Sequence, residues 1–345
     1  MTQSLVGFDA ILWLSFGGPE GPDDVMPFLR NVTRGRNVPD ARLALVAEQY
    51  ALFGGVSNIN SQNREAIELV SETLRERGID LPIYFGNRNW SPYVADTVSE
   101  LIRDGHRRVL VFATSAYGSY SACRQYREDM ALATATNHAE GTLELVKLRH
   151  FYNHPLFIEC LMDGISEVVE EGFDPTGAHT AIVATAHSIP LGMGGRDRYK
   201  SQLATVREAL ARELGKRFGT EIAIEMAFQS RSGPPTQPWL EPDISIKLDA
   251  LHEQGIREVL VVPIGFLSDH QEVRYDLDTL AHQHANEQGI TFHRSATVAR
   301  SPRFPELVAD LICEELSETS FASIDGVVSG RPCARDCCQG TDAHS

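Results

Sequence analysis

Short apolar runs rich in β-branched residues recur along the chain, separated by stretches in which apolar positions fall three and four apart. The runs predict strands at DAILWLSF (9–16), LPIYFGN (81–87), RRVLVFAT (107–114), LELVKLRH (143–150), TAIVATAH (180–187), EIAIEMAFQS (221–230) and REVLVVPIG (257–265). Several lack polar alternation, as strands of a parallel sheet do when both faces are covered. The stretches between them read as helices. In NREAIELVSETLRERG the apolar row is Ile67, Val70 and Leu74, and Gly78 is the stop signal. Leu203, Val206, Leu210 and Leu214 make the same kind of row in SQLATVREALARELG. Strands alternating with helices predict an α/β fold with parallel sheets flanked by helices.

A repeat organises these elements. LIRDGHRRVLVFATSAYGSY, from Leu101, and LHEQGIREVLVVPIGFLSDH, from Leu251, align without a gap 150 residues apart. A looser match sets DAILWLSFGG beside TAIVATAHSI, with Phe16 opposite His187. The expected organisation is two similar α/β halves, residues 1–150 and 151–320, followed by a cysteine-containing tail, 321–345. The link between the halves falls at about 150–178, with turn-forming GFDPTG. Ligands of open α/β sheets bind beyond the carboxyl ends of the strands. That rule selects SFGGPEGPDD, ATSAYGSYSACRQY, AHSIPLGMGGRD and IGFLSDHQEVRYDLD. Neither GxGxxG nor GxxxxGK[ST] is present, which argues against nucleotide binding by those devices.

Charge narrows the partners. With 47 acidic and 31 basic residues the net charge is −16, which disfavours a nucleic-acid surface and suits traffic in metal cations. AILWLSF is too short to cross a bilayer and no basic leader precedes it, so the expected location is cytoplasmic.

His187 ends an otherwise apolar strand. Such a histidine is either a core residue bonded to a carbonyl or a base and ligand. The stretch DHQEVRYDLD, with Asp269, His270, Glu272, Asp276 and Asp278, bears on the choice. On a helix Glu272 and Asp276 share a face, where like charges repel; a solvated first turn, favoured by the macrodipole, is the plainer account. The segment follows the buried run VLVVPIGF, which favours a crevice. Imidazole opposite a carboxylate can take protons from a weak acid or hold a divalent metal loosely. No HExxH and no GxSxG is present, which disfavours a zinc protease and a serine hydrolase.

ATAHSIP, FQSRSGPPTQPWLEPD, GFLSDHQEVRYDLD, FGGVSNIN and the opening strand running into FGGP together resemble the ferrochelatases, in the family's order along nearly the whole chain. Length, acidity and tail cysteines resemble its actinobacterial branch, whose members insert ferrous iron into coproporphyrin III to give coproheme. The resemblance implies two Rossmann-like halves with a porphyrin cleft between them, and Fe2+ as substrate. It implies His187 as acceptor of pyrrole protons and transient iron ligand, with Glu272 facing the same centre and Asp276 extending the acidic path. Ser57, Tyr126, Phe16, Arg34 and Tyr50 are implied porphyrin contacts, hydroxyls and guanidinium serving the propionates. Arg34 and Arg36 read equally well as a solvated loop. Phe16 replaces a tyrosine of other branches, Gln49 replaces a basic residue, and Leu280 ends the acidic stripe. Trp239 and Phe266 are expected to pack around the site. Protoporphyrin IX is the alternative substrate, cobalt insertion into sirohydrochlorin shares the fold type, and a non-catalytic tetrapyrrole or iron carrier is the alternative of another class. A monomer, with a transient downstream heme-pathway partner, is expected.

Cys333, Cys337 and Cys338 form C-x3-C-C. Neighbouring thiolates can ligate an iron–sulfur cluster or zinc. The resemblance implies a [2Fe-2S] cluster completed by Cys160 in HPLFIEC, with Cys123 and Cys313 as ordinary buried thiols.

Overall fold

The computed structural model describes residues 7–233, 236–317, 323–327 and 337–338. Among them eight strands make two parallel sheets. Strands β1 (Ala10–Ser15), β2 (Ile83–Asn87), β3 (Arg108–Ala113) and β4 (Glu144–Lys147) lie in the order β2-β1-β3-β4. Strands β5 (Thr180–His187), β6 (Ile224–Gln229), β7 (Glu258–Val262) and β8 (Thr291–Arg294) lie in the order β6-β5-β7-β8. Ala10 pairs with Val109 and Ala181 with Val259. Shifts of 171 (181 − 10) and 150 (259 − 109) residues therefore carry one central ladder onto the other, and the second is the spacing of the sequence repeat. The two-fold α/β reading holds strand by strand.

β8 was not expected from the pattern. It is four residues long, pairs only with β7, and places no fully buried side chain, so Thr291–Arg294 carries neither the apolar run nor the alternation that marks a strand. The helical rows hold with one change. Helix Arg196–Phe218 buries Leu203, Val206, Leu210 and Leu214. Helix Ile59–Glu76 buries Val70 and Leu74, and Gly78 follows at φ 75°, the left-handed stop that glycine allows. Ile67 is only half-buried; Asn63 takes the inward place, accepting from Trp13 Nε1 at 2.7 Å and donating to Ser15 Oγ at 3.0 Å. A buried amide with both ends bonded is tolerated in a core.

The chain divides into two compact units. Of the described residues, the first unit takes those within Met1–Ser115, Gln125–Arg149 and Val308–Ser320, and the second takes Ala116–Arg124, His150–Leu307 and the rest. A single cut at 150 would misplace two segments. The end of helix Phe304–Ser317 belongs with the first unit, where Arg149 meets Glu314 through two bonds of 2.6 and 2.8 Å and Arg77 meets Asp310 at 2.7 Å. Both members of the Arg149–Glu314 pair are buried, so neither charge has water to fall back on. Glu314→Ala, which removes the buried carboxylate from the guanidinium, should lower stability by about 3–5 kcal/mol, read as a lower urea midpoint; a wild-type midpoint would remove the pair from the account of this unit.

Candidate active site

β5 runs between β6 and β7 with Ile182–Ala186 buried, and His187 is its last residue, in register with Gln229 of β6. The strand end is held from several sides. Ser188 N donates to Gln229 O at 2.8 Å, Ser188 Oγ donates to Leu240 O at 2.8 Å, and the Tyr199 hydroxyl donates to His187 O at 3.2 Å. Gly265 packs so closely on this strand that a Cβ there would stand 2.6 Å from Ala186 Cβ, so only glycine lets the chain leaving β7 pass. The imidazole orientation follows. A carbonyl oxygen only accepts, so Nδ1, 2.5 Å from Ser188 O, carries a proton, and Nε2 is the nitrogen that changes protonation. Nε2 lies 3.4 Å from Glu272 Oε1.

Glu272 stands at the start of an unusual helix. His270 caps it, its Nδ1 accepting from Glu272 N at 3.1 Å. The α-helical turn Gln271–Tyr275 passes into a π-helical stretch, Asp276–Ala281, and then into helix His282–Glu287. π turns are wider than α turns. Val273, Leu277, Ala281 and Ala285, spaced by four, therefore all stay buried, packed with Ile244, Leu248, Val259 and Val261. The same spacing carries Glu272, Asp276 and Leu280, and Leu280 is exposed. The sequence expectation of Glu272 and Asp276 on one face agrees with this row. Gln229 Nε2 donates to Glu272 O at 3.2 Å, and Ser230 Oγ donates to the Asp276 carboxylate. Ser230 holds φ 62°, a left-handed conformation that non-glycine residues rarely adopt.

Burial opposes the charged form of His187, but Glu272, the Ser188 carbonyl and Asp276 outweigh it and raise its pKa to about 9. Burial likewise works against charge on Glu272, and the charge and hydrogen bond of His187 overcome it, bringing the carboxyl to about 2. The resting pair is imidazolium and carboxylate. Asp276 goes the other way: burial, reinforced by Glu272, lifts it to about 7 despite the Ser230 bond. His270 is lowered by burial and stays neutral as a cap. Side-chain exposures of 32% for His187 and 48% for Glu272 leave the pair open to solvent on one side, so screening limits its worth to about 0–1 kcal/mol. What His187 adds to stability is fully present below 6.5 and lost as pH rises through about 9; what Glu272 adds is present above 4.5 and lost as pH falls through about 2.

The other expected residues fall into separate groups. In the first unit Phe16, one residue past β1, meets Phe28 at 6.4 Å between centroids, and Phe28 meets Tyr50 and Trp90 at 6.1 Å each. Arg88 lies 5.9 Å from the Phe16 ring and 5.2 Å from that of buried Tyr126, and pairs with Asp129 at 2.9 Å. Ser57 is buried against Gly18. Arg34 and Arg36 are exposed. Phe28, Trp90 and Arg88 were not singled out by sequence; the strand-end rule applied to FGNRNW after β2 would have found two of them. In the second unit Trp239 and Phe266 are buried, Phe266 at 5.2 Å from the His270 ring, as expected of packing residues. Gln229, Ser230 and Arg294 were missed, although Gln229 and Ser230 fall in the quoted FQSRSGP.

The described cysteines fall in separate places. Cys337 and Cys338, with sulfurs 3.6 Å apart, lie by Arg198, whose Nη1 is 2.8 Å from Cys337 Sγ. Cys160 is buried elsewhere, with Ser301, Asp163 and Arg303 as neighbours, and burial pushes its thiol up to about 12. Among the described residues no three His, Cys, Asp or Glu side chains are grouped to hold a metal, so Cys160 does not stand with Cys337 and Cys338. Cys333 lies outside the described residues. Also among the described residues, no helix is long and apolar enough to cross a membrane.

The His187–Glu272 pair can be tested by titration. The His187 ring should titrate near 9 in an NMR pH series, and Glu272→Gln, which leaves burial unopposed by the main counter-charge, should bring it toward or below 6.5. A wild-type midpoint already at 6.5 would contradict the pairing.

Comparison with known proteins gives a consistent result. The ferrochelatase family profile matches residues 8–316. A protein of Streptomyces coelicolor named coproporphyrin III ferrochelatase is 48% identical over 328 residues, 90% of this chain and 86% of that one. One of the same name from Mycolicibacterium smegmatis is 46% identical over 344 residues, 96% of this chain and 99% of its own. Among solved structures, the SirB protein of Bacillus subtilis with Fe3+ has a TM-score of 0.55 at 9% identity, covering 90% of this chain and 96% of that one. That likeness speaks to fold alone. With the family profile spanning almost all of both units and the sequence motifs seated at the strand ends, the chain belongs to the ferrochelatase family.

Proposed function

We propose that this chain inserts ferrous iron into coproporphyrin III, releasing two pyrrole protons and forming iron coproporphyrin III. The observation that carries the reading is the imidazole of His187, fixed through Nδ1 with Nε2 3.4 Å from Glu272. The substrate identity is supported by the names of the relatives.

The chemistry required is a base for two very weak acids and a ligand for a dication that must shed water. At rest Glu272 keeps His187 protonated, so Nε2 has no lone pair to offer. Ferrous iron arriving at Glu272 screens that carboxylate, lowers the proton affinity of His187 and frees Nε2 to take a pyrrole proton. Asp276, poised near 7 and bonded to Ser230, would carry the displaced proton to solvent and then, one after the other, the two pyrrole protons that Nε2 takes up. In the first unit exposed Phe16 would supply aromatic surface, with Arg88, already paired with Asp129, beside its ring; Tyr50 and Tyr126, both buried, carry over from the resemblance as porphyrin contacts. Ser57 and Arg34 carry over from the resemblance as further propionate contacts, and a cytoplasmic location is kept with them.

A [2Fe-2S] cluster in the tail, on Cys333, Cys337 and Cys338, also rests on the resemblance; the adjacent pair Cys337 and Cys338 supports it, and Cys160, which is not grouped with them, is left out of the ligand set. No step of the reaction is routed through it.

Anaerobic turnover with ferrous iron should metallate coproporphyrin III in preference to protoporphyrin IX. His187→Ala should lose roughly 10²- to 10⁴-fold in kcat, the usual worth of a positioned base. Metallation of neither porphyrin, or a fully active alanine variant, would overturn the reading; a preference for protoporphyrin IX would move it to the alternative substrate. For the tail, Cys337→Ala should abolish visible absorption and bound inorganic sulfide in protein purified without oxygen, and retention of both would remove Cys337 as a ligand.

A further inference from the structure

Arg294, the last residue of β8, has no part in the chemistry above. Its side chain is only 18% exposed and its bonding is fully directed. Nη1 donates to Asp269 Oδ1 at 2.9 Å and to Ser295 O at 3.0 Å. Nε and Nη2 grip the Asp278 carboxylate at 2.5 and 3.1 Å. Asp269 precedes the helix cap and Asp278 lies inside the π stretch, with side-chain exposures of 17% and 37%. One guanidinium thus ties both ends of a ten-residue span, and Glu272 and Asp276 are inside it.

The span needs such a tie. Its α-helical part is five residues long and passes directly into a π stretch, and neither is stable without tertiary support. Four carboxylates crowd into it, Asp269, Glu272, Asp276 and Asp278, and like charges at helical spacing repel one another. Arg294 neutralises the outer two and leaves the inner two to face His187 and Ser230. A planar fork with donors in fixed directions can hold two carboxylates at once; the point charge of a lysine holds them less well.

We infer that Arg294 is a positioning residue for metal insertion, holding the Asp269–Asp278 span so that Glu272 and Asp276 keep their places beside His187 and Ser230. The consequence for turnover rests on the proposed function, but the clamp itself does not. Two readouts separate them: steady-state insertion of ferrous iron into coproporphyrin III, and hydrogen exchange of the amides of 270–278 in the ligand-free protein. Arg294→Gln should lower kcat roughly 10- to 100-fold, the usual effect of removing a partner that orients a metal-handling group. The Km for porphyrin should stay unchanged, and exchange should quicken in 270–278 while β5 and β7 keep their protection. Arg294→Lys should recover part of both effects. Asp278→Asn, which trims one half-exposed acid, should give the same pattern more weakly and serves if Arg294→Gln does not fold.

Wild-type kcat in Arg294→Gln, or unchanged exchange in 270–278, would overturn the inference. Exchange rising equally throughout the second unit would do so as well, because it would mark a general loss of stability. A wild-type protein that metallates no porphyrin would overturn the proposed function, while the exchange experiment would still decide the clamp.

Discussion

A parallel strand buried on both faces cannot end in a charged side chain unless its tip supplies partners, and β5 satisfies this constraint through its neighbours. Its register with β6 brings Gln229 beside His187, and its tight approach to Gly265 lets the chain leaving β7 swing into the helix that bears Glu272. Backbone bonds to Ser188 and His187 keep the strand end from fraying. The imidazole is then oriented by a carbonyl on one nitrogen and a carboxylate near the other. The buried sheet supplies rigidity, and the tip supplies charge.

The helix opposite solves a different problem. A continuous α-helix drifts relative to any row spaced by four, so it could not keep both an apolar row on the sheet and an acidic row beside it over three turns. The π stretch removes that drift. Leu277 and Ala281 remain under the sheet, and Asp276 remains in line with Glu272. The divergent titration of the two carboxyls follows from this placement, since Glu272 has imidazolium for a neighbour whereas Asp276 has a hydroxyl and a like charge.

Much of this was legible in the sequence because it depends on local pattern. The repeat, the central strands, the His187 terminus and the acidic row are written in consecutive residues. What was hidden depends on partners far along the chain. β8 is an edge strand whose four residues look like loop, and its last residue, Arg294, gains meaning only from Asp269 and Asp278. Asn63 looks like surface until Trp13 and Ser15 are found beside it. The boundary between the units cannot be read as one cut, because Arg149 and Glu314 are joined across 165 residues of chain. The cysteines show the same limit from the other side: C-x3-C-C is a local pattern, but whether Cys160 joins it is a question of distance.

Ser230 adds a point about selection among side chains. A residue at φ 62° without glycine's freedom surrenders about 1–2 kcal/mol of conformational stability. Glycine would relax the backbone at once and would also delete the one hydroxyl bonded to Asp276. That a hydroxyl-bearing residue occupies this place means that folding ease and the wiring of the carboxylate pull against each other at a single atom, and the chain has settled in favour of the wiring.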